Sequence, residues 1–231
     1  MGAPAGGTVK IPEDHRFTGR RRALIEEIRA AGVSDLGILE LFDRVPRHLF
    51  LPEAVWGQAY QDRAIPIGFG QTASQPSLQA RSLELLRPQP DETVLEIGTG
   101  SGYLTALLSR MADRVYSVER IRELSARARE VLDRLEIRNV ALMAGDGTIG
   151  WRKYAPFDVI IVSAASPSVP EALVEQLADG GRLLIPVGSR DQQRLVLVRK
   201  DGFAVTEQPL DPVLFVPLLG KYAFPAEGEG G

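Results

Sequence analysis

The sequence has no cysteine and only two histidines, His15 and His48, among its 231 residues. The absence of cysteine excludes disulfides, cysteine nucleophiles and thiolate-bound zinc or iron–sulfur centres. The two histidines share no helical or strand repeat, so a histidine metal site or a Ser-His-Asp triad would require folding to bring them together. We therefore expect no metal site, and we expect both histidines to be surface or capping residues.

Long basic blocks and long apolar runs are also missing. The 27 Lys and Arg residues are interleaved with 30 Asp and Glu residues, and the formal net charge is −3, so we expect no nucleic-acid partner. No apolar run approaches transmembrane length, and the N-terminal residues lack the layout of a signal peptide. These features predict a soluble cytoplasmic protein that binds no membrane. No segment is conspicuously apolar on an outward face, so no oligomeric state is predicted.

The most informative stretch is residues 94–103, VLEIGTGSGY, where an apolar strand-like segment runs through three glycines into a helix-like segment. Gly98, Gly100 and Gly102 are spaced G-x-G-x-G, whereas a dinucleotide loop has G-x-G-x-x-G and grips a pyrophosphate. Glu96 would repel a pyrophosphate but could receive the ammonium of a cofactor that carries an amino acid. The pattern favours S-adenosylmethionine over NAD. A P-loop is excluded because Gly-Lys-Ser/Thr is absent.

Strand and helix patterns alternate from residue 93 onward, after a helical pair at 18–31 and 35–45 and an irregular segment at 62–76. The predicted strands are 93–97, 114–118, 140–143, 157–162, 182–187, 194–199, 203–206 and 213–219, the last closing the sheet. The predicted helices between them are 77–86, 103–111, 121–135 and 169–177. This order predicts an α/β fold: a doubly wound, Rossmann-like sheet with antiparallel terminal strands and an N-terminal helical extension.

The same patterns divide the chain into four parts. We predict a flexible tail at 1–17, a helical extension with a substrate-side loop at 18–76, a cofactor-binding α/β core at 77–224 and a second flexible tail at 225–231.

Several side chains follow the carboxyl ends of the predicted strands, where open α/β sheets bind their ligands. Glu119 lies about twenty residues beyond the first loop glycine, at the spacing of a carboxylate that accepts both ribose hydroxyls. Asp146, between two glycines, could approach an adenine edge together with its neighbouring backbone. An ordinary surface carboxylate and an ordinary Gly-Asp-Gly turn are the respective alternatives.

Five segments together resemble the protein-L-isoaspartate O-methyltransferase family. They are residues 67–76 (IGFGQTASQP), 94–103 (VLEIGTGSGY), 145–147 (GDG), 155–158 (APFD) and 215–218 (FVPL). The glycine loop is shared with many methyltransferases, whereas the GQTxSQP segment is close to diagnostic of this family. The resemblance covers roughly residues 18 to 224. Ala73 departs from it, because the family usually carries a bulkier aliphatic residue there.

The resemblance implies transfer of a methyl group from S-adenosylmethionine, leaving S-adenosylhomocysteine, to the free α-carboxylate of L-isoaspartyl residues in damaged proteins and peptides. It implies Ser74 as the active-site hydroxyl, although Ser74 could also cap the helix that begins at Pro76. The substrate side would comprise Ile67, Thr72, Ala73 and Ser74. The cofactor side would comprise Thr72, Glu96, Gly98, Thr99, Gly100, Gly102, Glu119, Arg120, Asp146 and Gly147.

Three other functions stay open on the sequence. A related enzyme could methylate ordinary aspartate or another small carboxylate, and the chain could be a non-catalytic S-adenosylmethionine-binding module. A nicotinamide oxidoreductase is disfavoured by the glycine spacing and by Glu96.

Overall fold

The helices and strands follow the predicted alternation, and the computed structural model describes residues 15–225. The helices are α1 (Thr18–Ala30), α2 (Leu36–Arg44), α3 (Pro76–Leu86), α4 (Tyr103–Leu108), α5 (Arg122–Arg134) and α6 (Glu171–Glu175). The strands are β1 (Ile65–Gly68), β2 (Gln71–Ala73), β3 (Thr93–Ile97), β4 (Arg114–Glu119), β5 (Val140–Ala144), β6 (Phe157–Val162), β7 (Leu177–Gly188), β8 (Gln193–Asp201) and β9 (Ala204–Val213). The predicted tails at 1–14 and 226–231 lie outside the described residues.

Seven strands form one mixed sheet in the order β5-β4-β3-β6-β7-β8-β9. The first five strands in this order are parallel, whereas β8 and β9 run antiparallel to their neighbours. Chain order reverses at β3, which has β4 on one side and β6 on the other. The carboxyl ends of β3, β4 and β6 therefore bound the crevice where an open α/β sheet binds its ligand.

The sheet separates two hydrophobic cores, because successive side chains of a strand point to opposite faces. Val94 belongs to the core shared with α1 to α4, and Leu95 and Ile97 belong to the other core. The central strands are apolar on both faces, as parallel strands covered on both sides are expected to be. The predicted fold class is confirmed.

Several segments differ from the sequence-based predictions. The helix predicted at 169–177 is limited to Glu171–Glu175, and the strand predicted at 203–206 continues to Val213. Residues His15–Phe17 form a 3-10 helix with Phe17 buried, so the predicted tail does not extend to residue 17. The irregular segment contains the hairpin β1–β2. Residues 213–219 were predicted wrongly as a closing strand: the last strand of the sheet is β9, and the chain beyond it crosses the carboxyl edge, touching the sheet region through the bridge Ala165↔Pro217.

Between residues 15 and 225, no helix is long and apolar enough to cross a membrane. The same part of the chain contains no group of three or more His, Asp or Glu side chains that could hold a metal ion.

Candidate active site

A cleft lies at the point where the sheet order reverses. Its floor and one side are residues 97–101, the loop that follows β3, and its opposite side is residues 71–74 of the β1–β2 hairpin. Residues 119–121 after β4 and residues 216–219, from the segment that crosses the sheet edge, complete the wall. The cleft contains about 800 Å³ of free space, including the part open to solvent at its mouth.

The glycine loop takes a conformation that side chains disfavour. Gly98, Gly100 and Gly102 have φ angles of +94°, +53° and +84°, in the left-handed region where glycine is free of a Cβ clash. A Cβ on Gly102 would lie 2.9 Å from Cβ of Ala128 on α5, so this glycine also permits close packing. Gly102 therefore shapes the loop from behind and does not line the cleft, whereas Gly98, Thr99 and Gly100 do.

Glu96 does not face the cleft, which corrects the prediction that it receives a cofactor ammonium. The alternation of β3 directs its side chain into the protein, where it is 0 % exposed. Its Oε2 accepts hydrogen bonds from Thr105 Oγ1 at 2.5 Å and from Ser117 Oγ at 2.7 Å. Burial raises the pKa of Glu96 to about 8; the two hydroxyl hydrogen bonds lower it and the charge of Glu119 raises it.

The Glu96 carboxyl supports the loop from below. Ser117 Oγ lies 2.5 Å from Thr99 Oγ1, so a chain of hydrogen bonds leads from Glu96 through Ser117 to the glycine loop. The second oxygen of the Glu96 carboxyl, Oε1, is buried without a hydrogen-bond partner among the described residues.

Glu119 ends β4 and lines the cleft, as predicted. Its Oε2 accepts from the Gly100 backbone N–H at 2.9 Å, and its Oε1 accepts from the Ile121 N–H at 2.9 Å. Each carboxylate oxygen has further lone-pair capacity, so both can also face a ligand hydroxyl. Arg120 lies beside it in the cleft wall.

Asp146 is not among the residues that line this cleft, but it borders an adjoining space that shares Arg120 and Leu219 with the cleft, and its approach to an adenine edge stays a prediction. Its Oδ1 accepts from the Thr148 N–H and hydroxyl, and its Oδ2 accepts from the Lys221 N–H at 2.9 Å. These bonds tie the C-terminal segment to the loop after β5. Gly147 does line the cleft, and a Cβ there would overlap the Ile97 side chain.

The predicted acceptor residues Thr72, Ala73 and Ser74 all line the cleft. Ser74 is half-buried and is not the helix cap: the residue before α3 is Gln75, and the Ser77 N–H is bound by Asp62 Oδ1 at 2.8 Å. The capping alternative for Ser74 is therefore wrong, and its hydroxyl is available to the cleft.

Ile67 does not contact the cleft. It is 3 % exposed and packs in the hydrophobic core beneath the hairpin, with its Cδ1 3.6 Å from where a Gly100 Cβ would lie. The predicted role of Ile67 in substrate binding is thus replaced by support of the hairpin. Phe69 at the hairpin turn is 49 % exposed, with the Arg127 guanidinium over its ring.

The structure adds site residues to which the sequence patterns assigned no role in the site. Residues 216–219, predicted as a strand, form a wall of the cleft. Arg47 is fully buried and donates to the Ser74 carbonyl at 3.0 Å. No local pattern indicates this contact, because Arg47 is 27 residues away in the chain.

His48 is buried, which corrects the prediction of a surface or capping residue. It is 3 % exposed, and its Nδ1 lies 2.8 Å from the Tyr60 hydroxyl in an aromatic cluster with Phe17 and Trp56. None of these four residues lines the cleft.

The reversal of strand order, the G-x-G-x-G loop and the carboxylate after the second parallel strand define a class, the S-adenosylmethionine-dependent methyltransferases. Comparison with known proteins narrows this class to one family. The family model described as protein-L-isoaspartate(D-aspartate) O-methyltransferase (PCMT) matches residues 19–223. The chain therefore belongs to the protein-L-isoaspartate(D-aspartate) O-methyltransferase family.

Relatives cover nearly the whole chain. The protein-L-isoaspartate O-methyltransferase of Geobacter metallireducens is 50% identical over 210 residues, which are 90% of this chain and 97% of the relative. The protein of the same name from Dictyoglomus thermophilum is 46% identical over 208 residues, 90% of this chain and 94% of the relative.

Two solved structures have the same fold. A protein-L-isoaspartate O-methyltransferase superposes with a TM-score of 0.78 at 32% identity, covering 88% of this chain and 67% of that chain. A putative enzyme of this kind from Plasmodium falciparum, in complex with S-adenosyl-L-homocysteine, superposes with a TM-score of 0.76 at 26% identity, covering 86% of this chain and 98% of that chain. The family, the enzyme class and the cofactor predicted from the sequence are confirmed.

Proposed function

We propose that the cleft transfers a methyl group to the free α-carboxylate of L-isoaspartyl residues in damaged proteins and peptides, with Ser74 as the active-site hydroxyl. The chain is a methyltransferase of a family that uses S-adenosylmethionine. The observation that carries the residue assignment is that Thr72 and Ser74 line both the cofactor cleft and an adjoining open groove. Thr72 and Ser74 therefore lie where a methyl donor in the cleft would meet a peptide in the groove.

The residues of the cleft fit the cofactor. The glycine loop leaves room for a ligand, because a Cβ on Gly100 would meet only Ile67 within 4 Å. Glu119 would hold the ribose hydroxyls, and the loop residues 98–100 would hold the amino-acid end. Arg120 and Gly147 would border the base. When bound, S-adenosylmethionine supplies an electrophilic methyl group on a sulfonium centre.

The acceptor needs positioning more than activation. A carboxylate is ionised and nucleophilic at neutral pH, so no general base is required. In accord with this, the side chains that line the cleft within residues 15–225 include neither histidine nor lysine. Hydroxyl donors from Thr72 and Ser74 would orient one carboxylate oxygen and leave the other free to attack. A new O–CH₃ bond forms as the S–CH₃ bond breaks, and the product is a methyl ester.

The adjoining groove supports a peptide substrate. It passes between residues 74–81, at the start of α3, and residues 212–216, beyond β9. Leu214 on its rim is 73 % exposed, and Arg81 adds a cation. An extended chain lying there would bring a carboxylate to Ser74. The cytoplasmic location predicted from the sequence belongs to this proposal and stays a prediction.

A matched pair of peptides tests the function. One peptide contains a single isoaspartyl residue, and its twin has normal aspartate at the same position; both are incubated with the enzyme and methyl-labelled S-adenosylmethionine. We expect label in the isoaspartyl peptide alone. Equal label in both would favour a general carboxyl methyltransferase, and label in neither, with cofactor binding intact, would favour a non-catalytic binding module.

A further inference from the structure

A buried guanidinium contacts residues 71–74, which we call the acceptor loop. Arg47, in the 3-10 helix Arg47–Phe50, is 0 % exposed. Its terminal nitrogens donate to four backbone carbonyls. These belong to Ala59 at 2.8 Å, Gln61 at 3.3 Å, Arg63 at 3.3 Å and Ser74 at 3.0 Å. One side chain thus joins the segment that leads into the hairpin to the residue that ends the acceptor loop.

The same guanidinium also reaches the donor side of the cleft. Its Cζ lies 5.9 Å from the ring centre of Tyr103, the first residue of α4 and the residue that follows Gly102. Arg47 is therefore in contact with the acceptor loop and with the helix that begins at the glycine loop. Arg47 does not line the cleft, but it links the two elements from which the opposite walls extend.

Burial of the Arg47 guanidinium has a desolvation cost, and the need to fill this space does not account for a charged side chain here. Burial lowers the pKa of Arg47, and the nearby groups Tyr103, Asp62 and Tyr60 act in the opposite direction. An apolar side chain of similar volume would fill the space without desolvating a cation. What the guanidinium adds is a rigid planar set of donors, which matches several carbonyls at fixed angles.

The acceptor loop has little stability of its own. Its strand β2 has three residues, and the two-stranded sheet β1–β2 is separate from the seven-stranded sheet; an isolated hairpin is marginal in water. Asp62 holds the residues that follow Ser74, since Oδ1 accepts from the Ser77 N–H and Oδ2 from the Gln75 side chain. Arg47 supplies the contact to Ser74 itself.

We propose that Arg47 is a positioning residue for methyl transfer, holding the Ser74 backbone, and with it the Ser74 hydroxyl, at a fixed distance from the glycine loop. The inference rests on the proposed function, because it assigns Ser74 to the acceptor. A misplacement of about 1 Å at a reacting centre can reduce turnover by about 100-fold. Arg47 donates hydrogen bonds on the acceptor side only, and its contact on the donor side is with the Tyr103 ring, so we expect cofactor affinity to change much less than turnover.

Two conservative variants test this. Arg47→Lys keeps the charge but loses the planar fork, whereas Arg129→Lys makes the same change where an arginine binds the carbonyls of Val140 and Ile137 away from the cleft. For Arg47→Lys we expect kcat with the isoaspartyl peptide to fall by about tenfold or more, with the Kd for S-adenosylmethionine by calorimetry within about twofold. Amide hydrogen exchange should be faster in residues 71–75. Arg129→Lys should keep wild-type kcat and wild-type exchange in the hairpin.

Other results would overturn the inference. These are wild-type kcat in Arg47→Lys, unchanged exchange at residues 71–75, or a rise in cofactor Kd that matches the fall in kcat. Arg47→Met should enlarge the effect; if it does not fold, the lysine pair decides. Hydrogen exchange separates the two proposals: a wild-type enzyme that leaves the isoaspartyl peptide unlabelled contradicts the proposed function, while slow exchange at residues 71–75 in both lysine variants contradicts the role of Arg47.

Discussion

The two walls of the cleft are built in different ways. The donor wall, residues 97–102, follows directly from the central strand β3 and rests on the buried chain of hydrogen bonds that begins at Glu96. The acceptor wall, residues 71–74, belongs to a short hairpin outside the main sheet, with Thr72 exposed and Ser74 half-buried. The donor wall is held by side chains of the central strands β3 and β4, whereas the acceptor wall is held by Arg47 from outside the sheet.

This difference matches the two tasks. A cofactor has one structure, so a rigid loop with fixed backbone angles can bind it. A damaged peptide varies from one protein to the next, so its side of the cleft must be open while the reacting hydroxyl stays in place. Mutations on the donor wall should therefore change cofactor binding and stability, and mutations on the acceptor wall should change turnover.

The largest effect is expected on the donor wall, from Gly102→Ala. The new Cβ would meet Ala128 Cβ at 2.9 Å, with φ at +84°. The control Gly202→Ala has φ at +57° and nothing within 4 Å, so it should lower the free energy of unfolding by about 1 kcal/mol. Gly102→Ala should cost about 1–3 kcal/mol more and should abolish measurable cofactor binding. Denaturant titration measures the free energy of unfolding, and calorimetry measures cofactor binding. Equal losses of unfolding free energy in the two variants would show that the contact with α5 relaxes without cost.

The second effect is the loss of cofactor affinity in Glu119→Ala. Removal of a carboxylate that we propose to hold the two ribose hydroxyls, and that accepts from the Gly100 N–H, should raise the cofactor Kd by about 100-fold. The exposed Glu123 provides the control for the change of charge. Calorimetry that finds wild-type affinity in Glu119→Ala would remove Glu119 from the site.

The third effect is on the acceptor wall. Ser74→Ala should lower kcat by more than about tenfold while the cofactor Kd stays nearly unchanged, because we propose that the hydroxyl holds the acceptor carboxylate. Ser109→Ala is the matched control, since Ser109 binds a carbonyl within its own helical turn at Ala106. Unaltered turnover in Ser74→Ala would disprove the assigned role, and a parallel loss of cofactor affinity would show that the two walls are not separable.

A fourth prediction concerns a pH dependence of stability that arises beneath the donor wall. The pKa of Glu96 is raised to about 8 in the folded protein, above the value near 4 of an unfolded glutamate. The protonated carboxyl therefore stabilises the fold at low pH, and this contribution is lost as the pH rises from about 4 to about 8, with a slope of at most about 1.4 kcal/mol per pH unit. The difference in unfolding free energy between wild type and Glu96→Gln should follow this slope. If the unfolding free energies of wild type and Glu96→Gln differ by a constant amount from pH 5 to 9, this prediction is wrong.

Much of the fold could be predicted because the patterns that indicate its strands and helices involve residues close together in the sequence. Apolar runs of five or six residues, such as 93–97 and 157–162, correspond to the observed strands β3 and β6, and Pro76 begins α3 as its missing N–H favours. The strand predicted at 213–219 failed for a tertiary reason. Its apolar residues meet the cleft and the second core, not a neighbouring strand, and an apolar run carries the same pattern in both cases.

The candidate site was predicted unevenly. Residues that act through the backbone, such as Gly98 and Gly100, lie where their spacing placed them. Side chains whose direction depends on the fold did not: Glu96 packs beneath α4, and Ile67 enters the core. A sequence places a residue along the chain, but the strand face and the packing partner decide where its side chain points.

The sequence by itself determined the parallel sheet, the glycine loop and the family, because each depends on residues that are neighbours along the chain. The tertiary structure alone decided which carboxylates face the cleft, what forms its outer wall and how Ser74 is held. The physical reason is distance along the chain. Arg47 and Ser74 are 27 residues apart, and the hydrogen bond between them exists only after hydrophobic burial has folded the intervening segment around a charge.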